Sequence, residues 1–262
     1  MGHSRIGTLP ATRKWKDVIS LIGSGANEAH VADAVMVATG KTFSRVRDDA
    51  GFREAMHLIL QLALAGGRPN PSAELASAGV GDSENPSLVD VVSGISEEFD
   101  RRIEALKGRS DLSEFTQHAL VGAVTDFLKE SLPSLTEASR DDVTSAFKKL
   151  GKQENFGKFF HGFVAALTNK LLDSYLSRTL GTHLGEGQRF TTTNQVRQFE
   201  NALKIHCYEA AKIVEKYAAQ WFSKHRIKGR GEISREDAEG FGWYAFQKMT
   251  MELSVRAGKH GN

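Results

Sequence analysis

The residues of this chain best suited to chemistry are few, and their spacing decides what each could do. His206 stands beside the single cysteine, Cys207, on a stretch whose apolar residues recur at helical steps. An imidazole there could act as a general base, with Glu209 or Asp173 to orient it. A buried His206-centred site, with His161 and Asp173 as further candidate catalytic groups, is therefore one reading of the chain, as an enzyme. A histidine on an apolar helix face also serves as a hydrogen-bonded core residue, and His161 invites the same two readings. Glu54-x-x-His57 places a carboxylate and an imidazole one helical turn apart. Carboxylate-bridged metal bundles need two such pairs and two further glutamates, and the chain has no second Glu-x-x-His. Met56, Ile59 and Leu60 already supply the buried face there, so no metal site is expected. Neither a Gly-x-Ser-x-Gly elbow nor a His-Glu-x-x-His motif occurs, and no cofactor is expected.

Two glycine motifs imitate phosphate sites. Val18 to Ile22 runs into Gly23-x-Gly25 before a helical pattern, but the third glycine position of a dinucleotide fingerprint holds Glu28, whose carboxylate opposes phosphate. A turn between two helices is the better reading. Gly40-Lys41-Thr42 would require a glycine at position 35, where Val35 stands.

Two basic stretches suit nucleic acid or an acidic partner. Residues 31–47 have the pattern of a helix-turn-helix: Gly40 as the turn, Val46 as an inward residue, and Lys41, Thr42, Ser44, Arg45 and Arg47 facing DNA. Met36 is large for the position before such a turn, and Asp48 and Asp49 bring negative charge close by. The run from Lys224 to Arg230 (Lys224, Arg226, Lys228 and Arg230, with His225) has no acid within it, and Trp221, Phe222 and Trp243 are near in sequence. Cations interleaved with aromatics can follow a nucleic-acid backbone or an acidic protein. They also complement the dipole at the end of a helix.

The elements that must position these groups are helices. From Phe156 to Leu180, apolar residues cover nearly every side (Phe156, Phe160, Phe163, Leu167, Leu171 and Tyr175 on one face, Phe159, Val164, Leu172 and Leu176 around it), so this segment predicts a central, buried helix. Its charged residues, Lys158, Lys170 and Asp173 among them, argue against a membrane span. Caps are legible at Asn27, at Asp48 or Asp49, and at Ser110, Ser139, Thr193 and Ser234, and Asn85-Pro86-Ser87 opens a further helix. A long seam runs through Val196, Phe199, Leu203, His206, Ala210, Ile213 and Tyr217. No strand is expected after residue 25. The fold class is all-α, a multi-helix globular bundle of about eight to ten helices around the buried central helix.

At 262 residues, with 40% hydrophobic and 25% charged residues, the chain can bury a sizeable core. Residues 67–86 hold three of the five prolines and read as a connecting segment, carrying one helical turn, between an N-terminal helical subdomain, 1–66, and a main helical domain, 87–262. The formal net charge of +2 supplies no global attraction for nucleic acid. One cysteine excludes an intramolecular disulfide and suits a reducing cytoplasm. No apolar leader follows the first basic residues, so no secretory signal is expected.

Asp173-Ser174-Tyr175-Leu176-Ser177-Arg178 with its following glycine loop, and Cys207-Tyr208-Glu209-Ala210-Ala211 running on to Trp221-Phe222-Ser223-Lys224, resemble segments of uncharacterised helical proteins from bacterial genomic islands, where phage-defence genes gather. The resemblance spans roughly the C-terminal third and carries over no active-site residue. It implies antiviral defence as a setting. The lack of a cofactor signature and of a membrane segment, with many apolar helix faces for one chain, gives the leading expectation: a non-enzymatic interaction component of a bacterial multi-protein system, with other protein subunits as partners. A DNA-binding protein using residues 31–47 and an enzyme built on His206 are the alternatives.

Overall fold

The computed structural model describes residues 9–80, 87–133, 138–228 and 232–259. Among them are eleven α-helices: α1 (Arg13–Gly23), α2 (Glu28–Ala38), α3 (Gly40–Arg45), α4 (Ala50–Gly66), α5 (Pro71–Ser77), α6 (Leu88–Ala105), α7 (Asp111–Ser131), α8 (Arg140–Leu150), α9 (Gln153–Leu180), α10 (Thr193–Lys228) and α11 (Arg235–Lys259). The fold is an all-α bundle, as the apolar periodicity predicts, with more helices than the eight to ten expected. The excess is short helices: α3 has six residues and α5 seven. α5 forms inside the proline-rich connection because Asn70 caps it and Pro71 occupies its first position, where the missing N–H costs nothing. Leu75 and Val80 then bury against the neighbouring helices.

Side-chain caps set most helix starts. The Asn27 carboxamide accepts from His30 N at 3.0 Å, and Asp49, not Asp48, accepts from Phe52 N at 3.1 Å. Ser87, Ser110 and Ser139 each form reciprocal capping boxes with the residue three positions on. At α10 the hydroxyl comes from Thr192 rather than Thr193, accepting from Gln195 N at 3.3 Å.

α9 is the centre. Sixteen of its 28 residues are buried, and they point in every direction round the helix, which requires neighbours on all sides. α7 flanks it on one side and α10 lies along it on another, the most extensive helix contact in the molecule. Phe156 of α9 stacks on Phe222 of α10 at 4.4 Å between ring centroids, and Phe160 packs on Phe241 of α11 at 4.6 Å. The N-terminal helices join the same core: α2 packs on α10 and α11, and α4 on α6, α7, α8 and α11. No helix among the described residues is long and apolar enough to cross a membrane.

The α10 seam departs from expectation at Ile213. Phe199, Leu203, His206 and Ala210 are buried as predicted, but the buried line then follows Ala211, Val214, Ala218 and Phe222, while Ile213 is 41% exposed. α10 has 36 residues, and its contact with α9 and its contact with α11 lie on different sides of it. One apolar stripe read from the sequence merges these two.

Candidate functional site

The three candidate catalytic groups do not form one site. His161, on α9, is 2% exposed, and its Nε2 donates to the Tyr208 carbonyl oxygen at 2.7 Å. A carbonyl only accepts, so this bond fixes the tautomer and leaves Nδ1 facing the Glu215 carboxylate at 3.5 Å. The imidazole joins α9 to α10, with the Tyr208 ring against it at 4.3 Å. His206 is also buried, but it projects about 200° round α10 from Tyr208, at 100° per residue. It also lies about 180° from Glu215. The two histidines are therefore on opposite sides of α10. Asp173 stands about 18 Å along α9 from His161, by helical rise. Burial pushes its carboxyl upward, with Lys170 opposing. Cys207 is fully buried and desolvation pushes its thiol up to about 12, so it is no nucleophile at neutral pH.

The Glu54-x-x-His57 pair belongs to a buried ion network that spacing did not reveal. Glu54 and Glu98 are 2% and 4% exposed. Arg102, on α6, donates through Nε to Glu98 at 2.5 Å and through Nη2 to Gln61 at 2.8 Å and the Ala78 carbonyl at 3.3 Å. Its Nη1 lies 3.8 Å from Glu54 and 3.3 Å from His57 Nδ1. Arg235, at the start of α11, forks onto both oxygens of Glu54. Burial pushes the Glu98 carboxyl up, but the bonds from Arg101 and Arg102 outweigh this and hold it below the usual range. The Glu54 carboxylate is thus committed to two guanidinium groups. Among the described residues no group of three or more His, Cys, Asp or Glu converges as metal ligands. One signal was present in the sequence: Glu98 lies among Ile95, Phe99 and Ile103, an acid on an apolar helix face, four residues before Arg102.

Burial, and next Arg235 and Arg102, hold the His57 imidazole below its ordinary value. The unfolded chain therefore takes a proton more readily. The stability that follows is complete above about pH 6.5 and is lost as pH falls from there through the folded value. Urea unfolding at about pH 7.5 and 5.5 is expected to show a smaller stability difference for His57→Gln than for the natural chain.

Of the helix-turn-helix candidate, Phe43 and Val46 are inward, Lys41, Arg45 and Arg47 are exposed, and the Thr42 hydroxyl bonds the Tyr175 hydroxyl at 2.6 Å. The supposed recognition helix is α3, six residues or about 9 Å long. Asp49 is turned inward, capping α4 and accepting from Ser110 Oγ at 2.6 Å. Gly23-Ser24-Gly25 is the turn between α1 and α2, with Gly25 at φ +81°. Arg189 closes it by donating to the Ile22 and Ala26 carbonyls at 3.1 and 2.6 Å. Within the basic run, His225 stacks on Trp221 at 3.9 Å, and Arg226 donates to the Gly151 carbonyl at 2.9 Å. Lys224 is exposed. The Lys228 side chain and Arg230 lie outside the described residues.

What the helices do assemble is a surface. α10 and α11 lie side by side and antiparallel, with Trp221 on Phe241 at 4.3 Å and Tyr217 on Tyr244 at 5.1 Å. On α10, Ile205 (63%), Tyr208, Ile213 and Ile227 are exposed; on α11, Tyr244, Met251 (69%) and Val255. Basic groups lie among them. Lys248 sits over the Tyr217 and Tyr244 rings at 5.7 and 5.0 Å, and α10 carries seven Lys or Arg against three Glu. No protein-family model, no curated protein and no solved structure matches the chain.

Proposed function

We propose that the protein works by protein contact, as a non-enzymatic helical component of a bacterial multi-protein system, with antiviral defence as its setting. One observation carries the reading. Seven of the eleven large apolar side chains that are exposed among the described residues belong to the α10–α11 layer. Apolar side chains scattered singly on a surface need no explanation, but a concentration on one layer marks a contact face. Lysines among them select a partner of complementary charge, so the occupant is an acidic helical surface. The dispersal of His161, His206 and Asp173 leaves the enzyme reading without a shared site.

Purifying the tagged chain from its own cells tests the proposal against an Ile213→Lys, Met251→Lys variant. Both side chains already face solvent, so the variant should keep the natural unfolding midpoint. A stoichiometric protein partner, released by high salt and recovered at less than about a tenth of the natural level with the variant, is the expected result. Equal recovery with both chains would overturn it.

A further inference from the structure

The near-neutral net charge hides a separation. Residues 88–131, which form α6 and α7, hold nine acidic against five basic residues, whereas α10 holds the opposite excess. α9 lies between them, packed on α7 at one flank and on α10 at the other. The molecule is therefore layered: acidic outer layer, apolar core helix, basic outer layer.

The two outer layers also match in spacing. On α6, Val89, Ser93, Glu97, Asp100 and Glu104 follow one another at three- and four-residue steps along one stripe, exposed except at the half-buried Asp100, which also accepts from Gln117 of α7 at 2.9 Å. On α10, the corresponding stripe is Ile205, Glu209, Lys212, Lys216, Gln220 and Lys224. Val89 is 73% exposed and Ile205 63%. From Val89 to Asp100, and equally from Ile205 to Lys216, the rise is about 17 Å. Laid side by side in the same direction, the helices set Val89 on Ile205, Glu97 beside Lys212, and Asp100 beside Lys216. Some of these charges are already paired within the chain, Asp100 with Arg109 at 2.6 Å and Lys212 with Glu209 at 2.8 Å. Among the described residues, Glu97, Lys216 and Lys224 have no such ion pair and are exposed.

Resting on the protein-contact reading above, we infer that the acidic surface received by α10 is the α6–α7 face of a second copy of this chain, so that copies associate head to tail. A two-fold dimer through α10 would instead set lysine against lysine, which the basic excess of that helix opposes. Because donor and acceptor faces lie on different helices of one chain, each added copy presents a fresh acidic face. Such a contact does not close on itself as a two-fold pair does.

The test is sedimentation velocity of the full chain over a range of concentrations, at about 0.1 M and about 1 M salt, where the screening length falls from about 10 Å to about 3 Å. The natural chain should pass beyond a dimer as concentration rises at low salt, and association should weaken at least about tenfold at high salt. Lys212→Glu, Lys216→Glu should be monomeric alone, because its basic face is reversed. Glu97→Lys, Glu104→Lys should be monomeric alone, because its acidic face is reversed. In an equimolar mixture of the two variants the natural acidic face of one meets the natural basic face of the other, and the two reversed faces carry opposite charge as well, so assembly beyond a dimer should return. A natural chain that stays monomeric at low salt, one that stops at a dimer, or variants that still assemble alone would each overturn the inference. A monomeric natural chain whose cellular partner is lost with Ile213→Lys, Met251→Lys would overturn self-docking and leave the protein-contact reading standing. A monomer with unchanged partner recovery would overturn both.

Discussion

Replacing Arg102 with alanine is expected to lower the free energy of unfolding by about 3–5 kcal/mol, the range for breaking a buried ion pair by removing one partner. The guanidinium serves Glu98, Glu54, Gln61 and the Ala78 carbonyl together. With it gone, Glu98 keeps only Arg101, and Glu54 keeps only Arg235, whose own side chain is half exposed. Two carboxylates then remain out of water with much of their compensation removed, which is where the cost arises. Arg101→Ala is the control. That residue grips the same Glu98 with two bonds of 2.8 and 2.7 Å, but its side chain is 71% exposed, so its loss should cost a small fraction as much. Urea midpoints with unchanged slopes would measure both. Equal losses for Arg101→Ala and Arg102→Ala would show that burial does not set the strength of this network.

Gly157→Ala should destabilise the fold by about 1–3 kcal/mol, against the usual benefit of alanine in a helix. A Cβ at Gly157 would stand 2.6 Å from the Glu215 carbonyl oxygen and 3.1 Å from the Ala219 Cβ. The first obstacle is backbone of α10 and cannot turn aside, so α9 and α10 must separate along their longest contact. Gly162 lies on the same helix, five residues further on, with nothing within 4 Å of the same added atom. Gly162→Ala should therefore raise stability by about 0.5–1 kcal/mol. Thermal or urea unfolding of the pair should give opposite signs, because only Gly157 faces the backbone of α10. Two gains would show that the helices can move apart at little cost.

Helix class and helix starts were legible because they rest on local physics. Three- and four-residue apolar steps and the Ser or Asn caps depend on neighbours within one turn, and Asn27, Ser110 and Ser139 all cap where the sequence predicts. The short helices were legible only in part, as one turn in the 67–86 connection and a second helix after Gly40. α3 and α5 are too brief to show a period, and α5 depends on Leu75 and Val80 burying against distant helices. The drift of the α10 seam at Ile213 had the same cause, since a helix with two differently placed neighbours averages two stripes into one. The ion network was half legible. Glu98 on an apolar face with Arg102 four residues later is a local sign, but nothing near Glu54 announces Arg235. The contact layer was least visible, because Tyr244, Met251 and Val255 read as ordinary helix content until their outward direction is known.

The bond between Glu54 and Arg235 spans 181 positions of the chain. During synthesis at about 5–20 residues per second, α4 therefore waits roughly 10–40 s for the residue that completes its ionic partnership. Throughout that interval α2 and α4 have nothing of α11 to pack on, and α9 has only some of its eventual neighbours. The nascent chain thus holds apolar helix surface open until α11 has left the ribosome. Its yield in the cell should follow the supply of chaperone during that window more closely than the stability of the finished bundle.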